Sequence, residues 1–151
     1  MTWTWQTFDE LSPASLYDIM RLRQEVFVLG QNCVYVDADG KDPSCLHLMG
    51  HGKLSNQSND GLVAYLRVVP AGLKFTELSI GRVAVDQALR GKGLGNDLMK
   101  EALRGIEERF GLCPIRISAQ LYLQRFYSNL GFEVMGTPYD EVGIPHIQML
   151  R

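Results

Sequence analysis

Three glycines at alternate positions, Gly91, Gly93 and Gly95, follow the apolar run Val83-Ala84-Val85 and open an amphipathic segment that begins at Leu94. Glycine lets successive backbone N–H groups face outward with no Cβ in the way. A helix that starts here adds unpaired N–H donors and a partial positive charge. Together they form a cradle for an anion such as a pyrophosphate, and Arg90 and Lys92 can add charge-assisted bonds. The letters exclude two better-known phosphate motifs. No G-x-x-x-x-G-K-[ST] string occurs, and G-x-G-x-x-G fails in both registers, because Asn96 or Leu98 stands where the third glycine belongs. The plain alternative is a flexible strand–helix connection that binds nothing.

Other residues could also do chemistry. Asp37, Asp39 and Asp42 flank Gly40 and Pro43 in an acidic loop. Such a loop either attracts a cationic amine or is an ordinary solvated turn; it lacks the later ligands and the final glutamate of a calcium loop. His47 and His51 are four apart. In a strand they share a face but stand ~13 Å apart, too far to hold one metal together, so no metal is expected. Cys33, Cys45 and Cys113 are odd in number, widely spaced and free of any C-x-x-C. Free thiols in a reducing, cytoplasmic setting are the expectation, with Cys33 a structural thiol rather than an acyl carrier, since no base stands beside it.

These residues need elements to position them. Residues 2–8 alternate as a strand. Ser12-Pro13 supplies a cap and a first helical proline; Leu16, Ile19, Met20, Val26 and Phe27 then keep helical spacing up to a stop at Gly30. After the 31–44 loop, strands are expected at 45–50, 62–69 and 77–86, with 55–61 a hairpin loop and Gly81 marking a bulge or close approach. The glycine turn at 90–95 leads into a helix over 94–110, with Leu94, Leu98, Ala102 and Ile106 on one face and Gly111 beyond it. A strand at 114–119, a short helix at 121–130 and strands at 132–136 and 146–150 complete the chain. This is a mixed α+β order, with a parallel crossover unit around the glycine turn.

The bulk properties set bounds. One domain spanning 1–151 is the default for 151 residues. A net charge of −2 gives no basic footprint for nucleic acid. No apolar run approaches the ~18 residues of a membrane span, and the first ten residues carry no secretory pattern.

At this point the chain resembles the GNAT N-acetyltransferases. Arg90-Gly91-Lys92-Gly93-Leu94-Gly95 matches that family's [RQ]-x-x-G-x-[GA] motif, and Ile115–Ala119, Leu121–Tyr127 and Gly131-Phe132 follow in its order and spacing. Val26-Phe27-Val28, Gln31-Asn32-Cys33, Asp37-Ala38-Asp39-Gly40, Ile80-Gly81-Arg82-Val83 and Ile144-Pro145-His146-Ile147 resemble its ElaA-like branch. The resemblance implies a central, mostly antiparallel sheet with a parallel fourth–fifth strand pair and flanking helices. It also implies acetyl-CoA as co-substrate, with the backbone of Val83 and Val85 along the pantetheine arm and the N–H groups of Gly91, Gly93, Gly95 and Asn96 on the pyrophosphate. Gln120 stands where the family often places Asn, near the pantetheine.

Acetyl transfer to an amine needs a base for the amine, an N–H donor for the developing oxyanion, and an acid for the leaving thiolate. By its place before Gly131-Phe132, Tyr127 is the acid the resemblance implies; the alternative is a tyrosine packed with Phe126 and Leu130. His146 and His47, in strand-like segments, are candidates for the base, each with a structural hydrogen-bonded alternative, and Glu77 is a third. The acceptor is a small-molecule or peptide amine that the sequence does not name. A non-catalytic CoA-binding regulatory or sensor domain, and a binder of some other phosphate, are the rival readings. A homodimer is left open.

Overall fold

The structure is a computed structural model that describes residues 1–54 and 57–151. Its elements are β1 (Thr2–Thr7), α1 (Pro13–Arg23), β2 (Leu46–Gly52), β3 (Gly61–Val69), β4 (Leu78–Val85), α2 (Leu94–Phe110), β5 (Ile115–Gln120), α3 (Gln124–Ser128), β6 (Glu133–Glu141) and β7 (Ile144–Leu150). One sheet runs in the order β1-β2-β3-β4-β5-β7-β6. Neighbours are antiparallel except β4 and β5, which are parallel. The expected architecture is therefore present, crossover unit included.

Local chemistry explains most boundaries. Ser12 Oγ accepts from Ser15 N at 3.0 Å and Pro13 opens α1. The helix does not stop at Arg23: Gln24–Leu29 continue it with the wider π spacing, closed by Gly30 N donating to Glu25 O at 2.8 Å. A Cβ on Gly30 would sit 2.8 Å from the Val26 carbonyl oxygen, so glycine ends this segment through close approach. Ser55 and Asn56 of the expected hairpin loop lie outside the described residues; the strands on either side of it, β2 and β3, pair antiparallel. The segment expected as one short helix over 121–130 is a 3-10 turn (Leu121–Leu123) followed by α3. β6 runs five residues beyond the expected end at 136. A register shift between Met135 and Tyr139 accommodates Gly136-Thr137-Pro138, letters that hide a strand, and proline is tolerated because β6 is the sheet edge.

Two cores flank the sheet. Leu94, Leu98, Met99, Ala102 and Ile106 of α2 pack with Tyr127 and Phe132 on one face; Ile19, Leu22 and Val26 pack with Met49, Tyr65 and Ala84 on the other.

The acidic loop is neither a solvated turn nor a free anionic surface. Asp37 and Asp42 are buried, as are Arg23 and Arg67, and all are paired. Arg23 donates from Nε to Asp37 Oδ2 and from Nη1 to Asp42 Oδ1, both at 2.7 Å. Arg67 Nη1 reaches Asp39 Oδ1 and Asp42 Oδ1 at 2.8 Å, and its Nη2 reaches Asp39 Oδ2 at 2.5 Å. Burial acts to raise the Asp39 and Asp42 carboxyls, but the arginine hydrogen bonds and charges outweigh it and hold both below the ordinary range. His47 belongs to this cluster. Its Nε2 faces the Asp42 carbonyl at 3.0 Å, so that nitrogen carries the proton, and Nδ1 accepts from the Tyr65 hydroxyl at 2.8 Å. Burial lowers the His47 pKa.

Both effects have the same sign against pH. Below ~6.5 the unfolded chain gains a proton that folded His47 refuses. Below about 3.9 it gains protons that folded Asp39 and Asp42 refuse. Stability is therefore full above ~6.5, falls as pH drops toward the folded His47 value, and falls again below about 3.9. Thermal midpoints across pH 8 to 4 check this on wild type and His47→Gln: the variant should lack the upper decline, and identical profiles would show that His47 is not held neutral.

Candidate active site

The β4–β5 pairing is brief. Only Leu78↔Ile115 and Ser79↔Arg116 are partnered, after which the two strands part. Among the described residues, the β5-facing edge of β4 has no strand paired to it from Gly81 to Val85, nor has the opposing edge of β5 from Ser118 to Gln120. Backbone N–H and C=O groups left this way need a partner, and an extended amide-bearing chain laid between the strands would supply one. Val83 and Val85, the sequence candidates for that role, lie on this stretch, next to a bulge at Arg82. That residue has φ +54°, a conformation that costs a non-glycine residue roughly 1–2 kcal/mol.

The glycine turn lies at the end of the gap. Gly91 and Gly93 have φ +74° and +84°, with nothing within 4 Å of where a Cβ would be. Among the described residues, the N–H groups of Gly91, Lys92, Gly93, Leu94 and Gly95 make no hydrogen bond of good geometry. Five consecutive donors are therefore free at the start of a 17-residue helix. Asn96 differs from the other expected donors: its N–H donates to the Gly93 carbonyl at 3.0 Å, while those of Lys92 and Leu94 are among the unpartnered ones. Arg90 and Lys92 lie folded on the turn, Arg90 Nε toward the Val85 carbonyl at 3.4 Å and Lys92 Nζ toward the Ala88 carbonyl at 3.3 Å. A groove of about 600 Å³, lined by Leu22, Val26 and Leu29 on one side and Asp86, Ala88 and Arg90 on the other, runs beside the turn.

Tyr127 is buried, packed edge-on against Phe126 and Phe132 at centroid distances of 5.0 and 6.0 Å. No group among the described residues bonds its hydroxyl, and burial raises its pKa, so it stays a proton donor. It lies on the α2 side of the sheet with Ile147 and Met149. His146 alternates with those two residues on β7 and so faces the other side, paired in register with Gln120 of β5 and Tyr139 of β6. Its Nδ1 donates to the Ile144 carbonyl at 2.7 Å, and Nε2 stands 3.2 Å from Glu141 Oε2. Glu141 also accepts from Ser118 Oγ at 3.1 Å, and Ser118 is hydrogen-bonded to Tyr139. Gln120 Oε1 accepts from Gln31 Nε2 at 2.9 Å, which ties the loop after the first helix to the gap.

Val83, Val85 and the glycine turn thus follow one another along β4 and the segment after it, Tyr127 packs in the same α2-side core as Val83 and Val85, and Gln120 and His146 are register partners on the other face of the sheet. His47 is not among them: its two nitrogens are engaged in the charge cluster on β2. Nor is Glu77, held by Arg116 at 2.9 and 3.1 Å, which lowers its pKa. Cys33 is half-buried, its thiol donating to the Val142 carbonyl at 3.5 Å. Sequence reasoning missed Glu141, Ser118 and Tyr139. The signal for two of them was the period-two placement of Tyr139 and Glu141, hidden because the strand was ended at 136. Among the described residues no group of three or more His, Cys, Asp or Glu could hold a metal ion, and no helix is long and apolar enough to cross a membrane.

The model of the GNAT acetyltransferase domain matches residues 51–151. The chain belongs to the GNAT acetyltransferase family. Within it, the chain is 40% identical over 150 residues to Escherichia coli ElaA, covering 97% of this chain and 95% of that one. The crystal structure of ElaA superposes with a TM-score of 0.87 at 39% identity, over 100% and 99% of the two chains. An acyl-CoA N-acyltransferase from Pseudomonas aeruginosa superposes with a TM-score of 0.88 at 38% identity, over 99% and 98%. Fold, motif and relatives agree on an acyltransferase of the ElaA-like branch.

Gly93→Ala tests the turn. Its Cβ meets open space, so the variant should cost only the left-handed conformation, roughly 1 kcal/mol, or about 2–4 °C in melting temperature. An unchanged melting temperature would show that the turn relaxes without it.

Proposed function

We propose that this protein transfers the acetyl group of acetyl-CoA to a primary amine by direct attack of the amine on the thioester. The observation that carries this is the run of five free N–H donors from Gly91 to Gly95, set at the end of a strand whose backbone edge is open. A pyrophosphate suits the donors, and the amides of a pantetheine arm suit the edge. Bound acetyl-CoA supplies an acyl carbon already activated as a thioester.

The chain's residues divide the rest of the work by face. The amine approaches from the α1 side, where the His146–Glu141 pair takes up its proton between Nε2 and Oε2. An N–H on the free edge of β4 receives the carbonyl oxygen as negative charge develops there. The N–C bond forms as the C–S bond breaks, and the Tyr127 hydroxyl, on the other side of the sheet, gives its proton to the departing thiolate. Gln120, braced by Gln31, lines the passage between the two. In the same reading the protein works in the cytoplasm, which its three free cysteines support.

Thermal unfolding with acetyl-CoA, CoA, ATP and NAD in parallel comes first. At 100 times its dissociation constant a specific ligand adds ~2.7 kcal/mol, or about 5–10 °C here. The expected shift is with acetyl-CoA and CoA alone; a shift with all four, or with none, overturns the reading. Tyr127→Phe should then lower kcat about 100-fold or more while leaving acetyl-CoA affinity within about twofold, checked by thiol release against a panel of amines. Unchanged turnover removes Tyr127 from the mechanism. Binding of acetyl-CoA without transfer to any amine would instead mark a sensor domain.

A further inference from the structure

Strand β4 changes course at one residue. Between the pairs Arg67↔Gly81 and Tyr65↔Ala84, β3 advances two residues while β4 advances three. The extra length falls at Arg82, in the left-handed region at φ +54°. A bulge of this kind re-aims the strand beyond it. The last β4–β5 pair is at Ser79, just before the bulge, and Val83 and Val85 lie just after it.

The sheet itself does not hold Arg82 in place. It has no partner on β3 or on β5. Its guanidinium is held by the loop between the first helix and β2: Nε donates to Asp37 Oδ1 at 2.7 Å and Nη2 to the Asp37 carbonyl at 3.0 Å. Asp37 is in turn gripped from α1. Arg23 Nε donates to its Oδ2 at 2.7 Å and Arg23 Nη2 to its carbonyl at 3.1 Å. Arg23 is wholly buried and Asp37 nearly so, so this grip is screened from water and fixed in direction. A lysine in place of Arg82 could not copy the two-pronged contact.

We propose that Asp37 is a positioning residue for the cofactor strand: anchored by Arg23, it holds Arg82 and thereby the bulge that aims the open edge of β4 at the pantetheine arm. This rests on the acetyl-CoA reading above. It assigns a role in binding to a loop residue that makes no contact with the glycine turn, and it makes the loop, the first helix and β4 one mechanical unit.

The test compares two ligands that share the pyrophosphate. Acetyl-CoA engages both turn and strand; 3′-phosphoadenosine 5′-diphosphate, which has no pantetheine arm, engages only the turn. Arg82 is the variant of choice because its side chain is 20% exposed and its loss leaves the buried part of the cluster paired. By calorimetric titration, Arg82→Ala should weaken acetyl-CoA by about tenfold or more and leave the fragment within about twofold. Arg82→Lys should fall between, because one donor still reaches Asp37. Asp37→Asn, if it folds cooperatively, should repeat the Arg82→Ala pattern. Equal weakening of both ligands, or acetyl-CoA affinity within about twofold of wild type, overturns the proposal. Failure of wild type to bind either ligand shows before any variant is made, and removes the acetyl-CoA reading together with this inference.

Discussion

Three aspartates and three arginines meet where a loop without regular structure crosses the sheet, and four of the six are buried. Taking a charge out of water is tolerable only if it is paired and hydrogen-bonded, and deleting one partner of such a pair costs ~3–5 kcal/mol. Segment 31–44 is therefore fixed in its course even though neither helix nor strand guides most of it. Through that course the chain places Gln31 against Gln120, Cys33 against Val142 and Asp37 against Arg82. The contacts with Gln120 and Arg82 end on the two strands that border the β4–β5 gap, and the contact with Val142 ends on the turn between β6 and β7. The gap is an absence of pairing, and it keeps its shape because what surrounds it is tied down.

The two faces of the sheet answer different chemical needs. The α2 face is apolar and closely packed: Leu98, Met99 and Ala102 are fully buried, and the ring of Tyr127 packs in the same core, its hydroxyl bonded to none of the described residues. An unpaired hydroxyl in such surroundings keeps its proton until something more basic arrives. The opposite face, beyond the reach of the first helix, carries Ser118, Gln120, His146 and Glu141, bonded to one another or to the adjacent loop. In the proposed reaction, proton donor and proton acceptor thus stand on opposite faces of the sheet. A reaction that gives up a proton on one side and takes one up on the other is well served by that separation.

Much of this was legible in the letters, for identifiable reasons. The helix at about 94–110 was readable, because Leu94, Leu98, Ala102 and Ile106 keep strict spacing and a glycine stands at each end. Gly81 announced a bulge, yet the left-handed residue proved to be its neighbour Arg82; the glycine marks the place, and the charge contact with Asp37 decides which residue bends. The acidic loop could not be read at all. Asp37, Asp39 and Asp42 look like a solvated turn, because their partners Arg23, Arg67 and Arg82 lie 14 to 45 positions away along the chain. Long-range pairing leaves no local periodicity. For the same reason His47 and His146 looked alike as strand histidines, although one is closed into the cluster and the other, on β7 beside β5, faces Glu141.

Stability alone does not explain why charges were kept in this position. Replacing a buried ion network with apolar residues of similar volume is often neutral or even stabilising, and cores accept many such replacements while losing uniqueness before stability. What apolar packing does not supply is direction. A guanidinium fork meets a carboxylate in only a few orientations, so the Arg23–Asp37–Arg82 chain transmits the position of one element to the next with little freedom. Misplacement of a reacting group by about 1 Å can cost a hundredfold in rate. A loop that helps place a strand edge beside a scissile bond is where directional bonds are worth their desolvation, and where an apolar substitute would fold well and bind poorly.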